Sequence, residues 1–161
     1  MAATVTLPCP EEILLTREFD APPHLVYRAW TEPDLVRRWW TAGQDGVTAV
    51  EIEIDLRPGG TWRYAMVADD GEAVAFCGQY REVLPDQRLV YTEVKQDRPD
   101  MQALTTVTFT GMAGGRTTVS MTVRYDRQQD RDVHRAYMGD GLDDAMDLLE
   151  RVALALGRDG R

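Results

Sequence analysis

Few side chains in this sequence are of a type that does chemistry. Its histidines are His24 and His134. Either would serve as a general base or a metal ligand, but no HExxH pair and no histidine cluster sets them together. Both are expected at the surface, His24 in the first turn of a helix and His134 on the approach to the last helix. Ser120 is the sole serine and lies inside a strand pattern without a G-x-S-x-G elbow. Gly111-Met112-Ala113-Gly114-Gly115 is glycine-rich but joins two strands and lacks the lysine of a phosphate loop, so it reads as a hairpin loop. Asp140, Asp143, Asp144 and Asp147 do not have the spacing of a calcium loop. They fit the start of a helix, where the backbone dipole favours negative charge. Cys9 and Cys77 are far apart with no CxxC spacing and are expected to be free thiols. No catalytic residue, metal ligand or cofactor site is named by these patterns.

The aromatic and methionine side chains point elsewhere, to binding. Trp39, Trp40, Trp62, Tyr64, Phe76, Tyr80, Tyr91, Met121, Leu142 and Met146 are the candidates to line a ligand cavity. The two adjacent tryptophans are expected to divide, one in the core and one at the rim of the sheet mouth. Such walls suit an apolar body, with a phenol such as that of Tyr80 to orient it. Arg63, Glu93 and Arg124 would bring charge to the cavity if strand register turned them inward, but the alternation around them sets them outward.

Those candidates sit on recognisable elements. After Ile13, Leu15 and Phe19 in a first strand, Asp20 is placed to cap a helix. Pro22 and Pro23 fall in its first turn, where a missing N–H costs little. Val26, Ala29 and Trp30 share one helix face. Thr31 begins a second cap, with Pro33 in the next first turn and Asp34 positioned like the acid of a capping box. Leu35 with Trp39, and Val36 with Trp40, then lie four apart, and Gly43 and Gly46 end the unit. Val50, Ile52, Ile54 and Leu56 alternate with acids, as a strand with one wet face does. Trp62 to Met66, Val74 to Tyr80, Leu89 to Val94, Leu104 to Thr110 and Val119 to Tyr125 follow with short turns between them. About seven strands in an antiparallel meander are expected. Met138, Leu142, Ala145, Leu149, Val152 and Leu156 form one amphipathic stripe, hence a long last helix, which Gly157 ends. Such elements pack as a curved sheet with the helix across its concave face, an α+β arrangement with a gap between.

The whole chain of 161 residues reads as one domain, residues 11–161, behind a loose tail of residues 1–10. Net charge is −9 and the pI near 4.7, which argues against nucleic acid or an anionic membrane as main partner. No apolar run approaches the ~20 residues of a membrane span, and the first ten residues lack a signal pattern. A cytoplasmic protein is expected.

These residues also carry a family likeness. Arg17 to Pro22, Val26 to Pro33, Leu35 to Trp40, Asp55 to Trp62, Gly78 to Val83, Leu89 to Thr92, Thr106 to Phe109 and Gly115 to Val119 occur in an order that resembles the homologues of the heat-shock protein 90 ATPase activator C-terminal domain. That family lies within the START-like, Bet v 1-like superfamily. The resemblance spans about residues 12–156. It implies the helix-grip fold and a hydrophobic ligand cavity. Where such proteins often carry Gly-Trp at the start of the packed last helix, this chain has Gly141-Leu142, a smaller side chain that would reshape the cavity.

Three functions are therefore expected in order: a carrier of a small apolar or amphipathic molecule; an interaction module regulating a chaperone ATPase; and an enzyme of cyclase, dehydratase or hydrolase type. The last needs an acid–base pair inside the cavity, which the sequence does not name; a buried carboxylate beside Tyr80 or Tyr91 would favour it. A homodimer is compatible with an exposed sheet edge.

Overall fold

Period-two alternation dominates the middle of the sequence, and it builds a sheet. A computed structural model describes residues 2–41, 46–137 and 141–158, with Tyr137 described by its backbone. The elements run β1 (Thr4–Thr6), β2 (Glu12–Phe19), α1 (Pro23–Thr31), α2 (Pro33–Trp39), β3 (Val47–Ile54), β4 (Thr61–Ala68), β5 (Ala73–Leu84), β6 (Arg88–Lys95), β7 (Ala103–Met112), β8 (Arg116–Arg124), α3 (Gln128–Tyr137) and α4 (Leu142–Arg158). Among the described residues eight strands form one antiparallel sheet in the order β1-β2-β8-β7-β6-β5-β4-β3. The chain winds as a meander from β3 to β8, and β2 closes back onto β8 over Glu12–Phe19. Register shifts in β3 and after Tyr80 in β5 bend the strands, and the sheet curves around α4.

The concave face is apolar where the helix meets it. Phe19, Val107, Val119 and Leu89 join Leu149, Val152 and Ala153 of α4 in one buried cluster, with Val26 and Val36 of α1 and α2. One charge is drawn into this interface. Arg17, 3% exposed, donates from its guanidinium to the Met146 carbonyl and to Asp147, both at 2.7 Å. The helix is thus pinned to β2 by a charged fork as well as by apolar contact.

Several expectations are corrected. Asp20 does not cap α1: the cap position is Pro22, and the Asp20 carboxylate accepts from Arg116 at 3.0 Å. Thr31 is the last residue of α1, its hydroxyl donating to the Tyr27 carbonyl at 2.8 Å, and Glu32 holds the cap position of α2. Eight strands replace seven because β1 lies within the stretch expected as a loose tail, paired with Leu14–Thr16. The last helical region is two helices. The separate α3 buries Asp130, Arg131 and His134, all polar, so a search for apolar stripes passes over it. Gly43, Met138 and Asp140 lie outside the described residues.

Candidate functional site

Between the concave face and α4 lies a cavity of about 260 Å³. An apolar cavity of ~150 Å³ already admits benzene, so this volume accommodates a molecule of one or two rings. The ten residues singled out in the sequence, Trp39, Trp40, Trp62, Tyr64, Phe76, Tyr80, Tyr91, Met121, Leu142 and Met146, all border it. The strand period accounts for this. Trp62 and Tyr64 alternate along β4, and pairing sets Tyr64 across from Phe76, and Tyr80 across from Tyr91. Leu142 and Met146 come from α4, four residues apart on one face.

The two adjacent tryptophans have different surroundings. Trp39 is 5% exposed and donates its indole N–H to the Ala29 carbonyl at 2.8 Å, anchoring α2 on α1. Trp40 is half-buried and packs edge-to-face on Tyr64 and Phe76, with centroids 5.4 and 6.0 Å away. Trp62 meets Tyr64 and Tyr91 in the same manner at 5.0 and 5.4 Å. Its indole passes over Gly78 to donate to the Thr92 carbonyl at 3.1 Å. A Cβ at Gly78 would stand 1.7 Å from that carbonyl oxygen and 2.7 Å from the indole nitrogen, so the close approach requires glycine.

The cavity also holds a carboxylate, and here the sequence expectation is overturned. Glu93 faces in. It shares a strand face with Leu89 and Tyr91, both buried and both at the cavity. Among the described residues its hydrogen-bond partner is the Thr105 hydroxyl, which donates to it over a long 3.5 Å. Burial pushes its carboxyl up from 4.5 to about 7, the Thr105 hydrogen bond opposing only in part. Glu93 is half-buried and stands among the aromatic side chains of the cavity wall, and desolvation there is the larger influence on it. Its charge in turn raises the hydroxyls of Tyr64 and Tyr91, after burial as the first cause, which places both phenols within electrostatic reach of the carboxyl. Arg63 and Arg124 do point outward, paired with Glu51 and Glu12 at 3.4 and 3.2 Å.

His134 is the second correction. His24 is exposed as expected, but His134 is 7% exposed and borders the cavity. Its Nδ1 is 2.7 Å from the Tyr125 hydroxyl, and burial lowers its pKa from 6.5 to about 4. It is therefore neutral at physiological pH. Glu93 pairs with Ala103, and the β7–β8 register continued by one residue sets Tyr125 on the other side of that alanine. Glu93 and the Tyr125–His134 pair thus flank one small residue, on strands about 10 Å apart. The signal for Glu93 was present in the sequence, since it stands two residues after Tyr91. The signal for His134 was not, because no apolar stripe marks α3, whose Val133 is exposed.

Cys9 and Cys77 are free thiols. Among the described residues no three His, Cys, Asp or Glu gather to hold a metal ion. No helix among them is long and apolar enough to cross a membrane.

A curved antiparallel sheet gripping a C-terminal helix around a cavity defines a START-like, Bet v 1-like helix-grip protein. Solved structures agree. A protein from Rhodobacter sphaeroides superposes with a TM-score of 0.85 at 23% identity, over 95% of this chain and 99% of that one. A Nitrosomonas europaea protein gives 0.76 at 21%, over 93% and 98%. A Rhizobium leguminosarum protein gives 0.64 at 28%, over 93% and 97%. No curated protein matches the sequence. The sequence profile described as activator of Hsp90 ATPase homolog 1-like protein matches residues 20–153, and the chain belongs to that family.

Proposed function

We propose that this protein binds one small apolar or amphipathic molecule between the sheet and α4. The observation that carries the reading is the cavity itself, walled by indole, phenol and thioether groups with few polar groups converging on it. The aromatic rings supply burial, and the Tyr80 and Tyr91 hydroxyls supply orientation. Native mass spectrometry of the protein from its own host, followed by denaturing extraction, tests this. A stoichiometric small molecule is the expected result. A protein that is empty, and whose tryptophan emission is unmoved by a panel of one- and two-ring compounds, refutes it.

A second reading is favoured by Glu93. A carboxylate beside Tyr91 is the group that an enzymatic use of the cavity would need. Poised near pH 7, it can remove a proton from one atom of a bound molecule and return it to another, an isomerisation or ring closure that consumes nothing else. Product formation by the wild type and its loss in Glu93→Gln, with binding retained, would separate this from carriage alone.

A further inference from the structure

The cavity pairs an aromatic wall with a single acid, and that pairing has a ligand chemistry of its own. Trp40, Tyr64, Trp62 and Tyr91 form a continuous series of edge-to-face contacts with interplanar angles from 66° to 77°. Rings of differing orientation therefore border one space, and an aromatic face attracts a cation by its quadrupole. Glu93 stands on the same wall. Among the described residues no arginine or lysine is ion-paired with it. Lys95, two residues along the same strand, gives its ammonium to Asp97 at 3.2 Å. The side chains that face Glu93 are Tyr64 from β4, Tyr91 from its own strand and Thr105 from β7. Tyr125 and the neutral His134 flank Ala103 beyond it. Leu142 and Met146 are what α4 contributes to the wall. Among the described residues, therefore, no cationic side chain pairs with the carboxylate.

We propose that the molecule bound in this cavity is an organic cation, an amine carried on a one- or two-ring apolar body, whose ammonium pairs with Glu93 while the rings of Trp40, Tyr64, Trp62 and Tyr91 enclose it. This rests on the ligand reading above and names its chemical class. Burying a carboxylate alone is unfavourable, and a charged partner with hydrogen-bond donors restores what desolvation removes. The raised titration of Glu93 is the same imbalance seen from the proton's side: without an organic cation, the site takes a proton instead. Binding of the ammonium is then coupled to proton release.

The test titrates the full-length protein, followed by tryptophan emission, with three probes of one shape: 2-phenylethylamine, 2-phenylethanol and phenylacetate, and with their naphthyl counterparts. At about pH 8, where Glu93 is ionised and the amine still charged, the amine is expected to bind at least ~10-fold more tightly than the alcohol, and phenylacetate least, in keeping with the tens-fold effects of buried charge-assisted pairs. Glu93→Gln is expected to abolish the preference for amine over alcohol while changing alcohol affinity by less than ~3-fold, a neutral hydrogen bond at most. Calorimetry in buffers of differing ionisation enthalpy supplies a measurement independent of any variant. At about pH 7 the wild type should release about half a proton on binding the amine and none on binding the alcohol. Equal affinity for amine and alcohol, or amine binding without proton release, overturns the cation assignment and leaves the cavity reading standing. Failure of all six probes to bind overturns both.

Discussion

Replacing Glu93 by glutamine removes one titration and little volume, so its effect on stability can be worked out from the site. In the folded chain the carboxyl titrates at about 7, against an ordinary 4.5, because it is buried. Between those values the unfolded chain has released a proton that the folded chain retains, so stability falls as pH rises. At about 1.4 kcal/mol per pH unit, the cost is absent at about pH 4.5 and reaches about 3 kcal/mol by about pH 8. His134 runs the other way. Burial holds it at about 4 against an ordinary 6.5. Between those values the unfolded chain binds a proton that the folded chain refuses, and stability rises with pH. From about pH 4.5 to about 6.5 the two slopes cancel, leaving the wild type level as far as this pair is concerned. Glu93→Gln exposes the histidine slope: its stability climbs by about 2 kcal/mol over that interval and levels off above it. Urea unfolding followed by tryptophan emission, at four pH values from about 4.5 to about 8, measures both proteins. Their difference isolates Glu93, since every other carboxylate contributes equally to each. A difference that stays constant with pH to within about 0.5 kcal/mol, the usual scatter between independent sites, would refute the claim that this carboxyl is desolvated in the fold.

Three further substitutions probe the frame around the site. Gly78→Ala drives a Cβ into the Thr92 carbonyl and the Trp62 indole, and is expected to cost about 2–3 kcal/mol in urea unfolding, the range of an overpacked core. Arg17→Met removes two charge-assisted hydrogen bonds to α4. Because Asp147 keeps 47% of its side-chain surface and rehydrates, the loss is expected at about 2–3 kcal/mol rather than the full cost of a stranded buried charge, lowering the melting temperature by about 5–10 °C. Tyr27→Phe removes a buried hydroxyl that has no hydrogen-bond partner among the described residues, so stability is expected to hold or to rise by up to about 1–2 kcal/mol. A clear loss there would mean that the phenol is satisfied.

How far the site was legible depends on what each residue's pattern rested on. The aromatic wall was readable because Trp62 and Tyr64, or Phe76 and Tyr80, keep the strict period of a strand whose other face is wet. The helix stripe from Leu142 to Leu156 was readable for the same kind of reason, since Ala145, Leu149, Val152 and Leu156 are all buried. Glu93 was misplaced although the same period governs it. Naming Tyr91 as inward commits the residue two positions on, yet charge was allowed to outvote register. In β7 the conflict is sharper still. Leu104 is 41% exposed while Thr105 is fully buried, an inversion of what hydropathy alone would choose. Thr105 is the residue whose hydroxyl reaches Glu93. The caps failed differently. Asp20 and Thr31 have the right residue types, but a tertiary partner, Arg116, took the first side chain, and a local bond to the Tyr27 carbonyl one turn back in α1 took the second.

Polar residues at inward positions are where local preference and the global fold disagree, and such disagreements gather at functional sites. Inward polarity is not by itself a site, however, and Arg17 shows why. It is as buried as any charge among the described residues, but it meets a carbonyl and two carboxylates of α4, so its charge is spent on docking the helix. Glu93 has one hydroxyl at the limit of hydrogen-bond distance and an aromatic cavity in front of it. The contrast lies in what remains unsatisfied. A carboxylate that is desolvated, with no counter-charge among the described residues, bears that cost in every molecule, and a cationic ligand or a transferred proton is the kind of partner that relieves it.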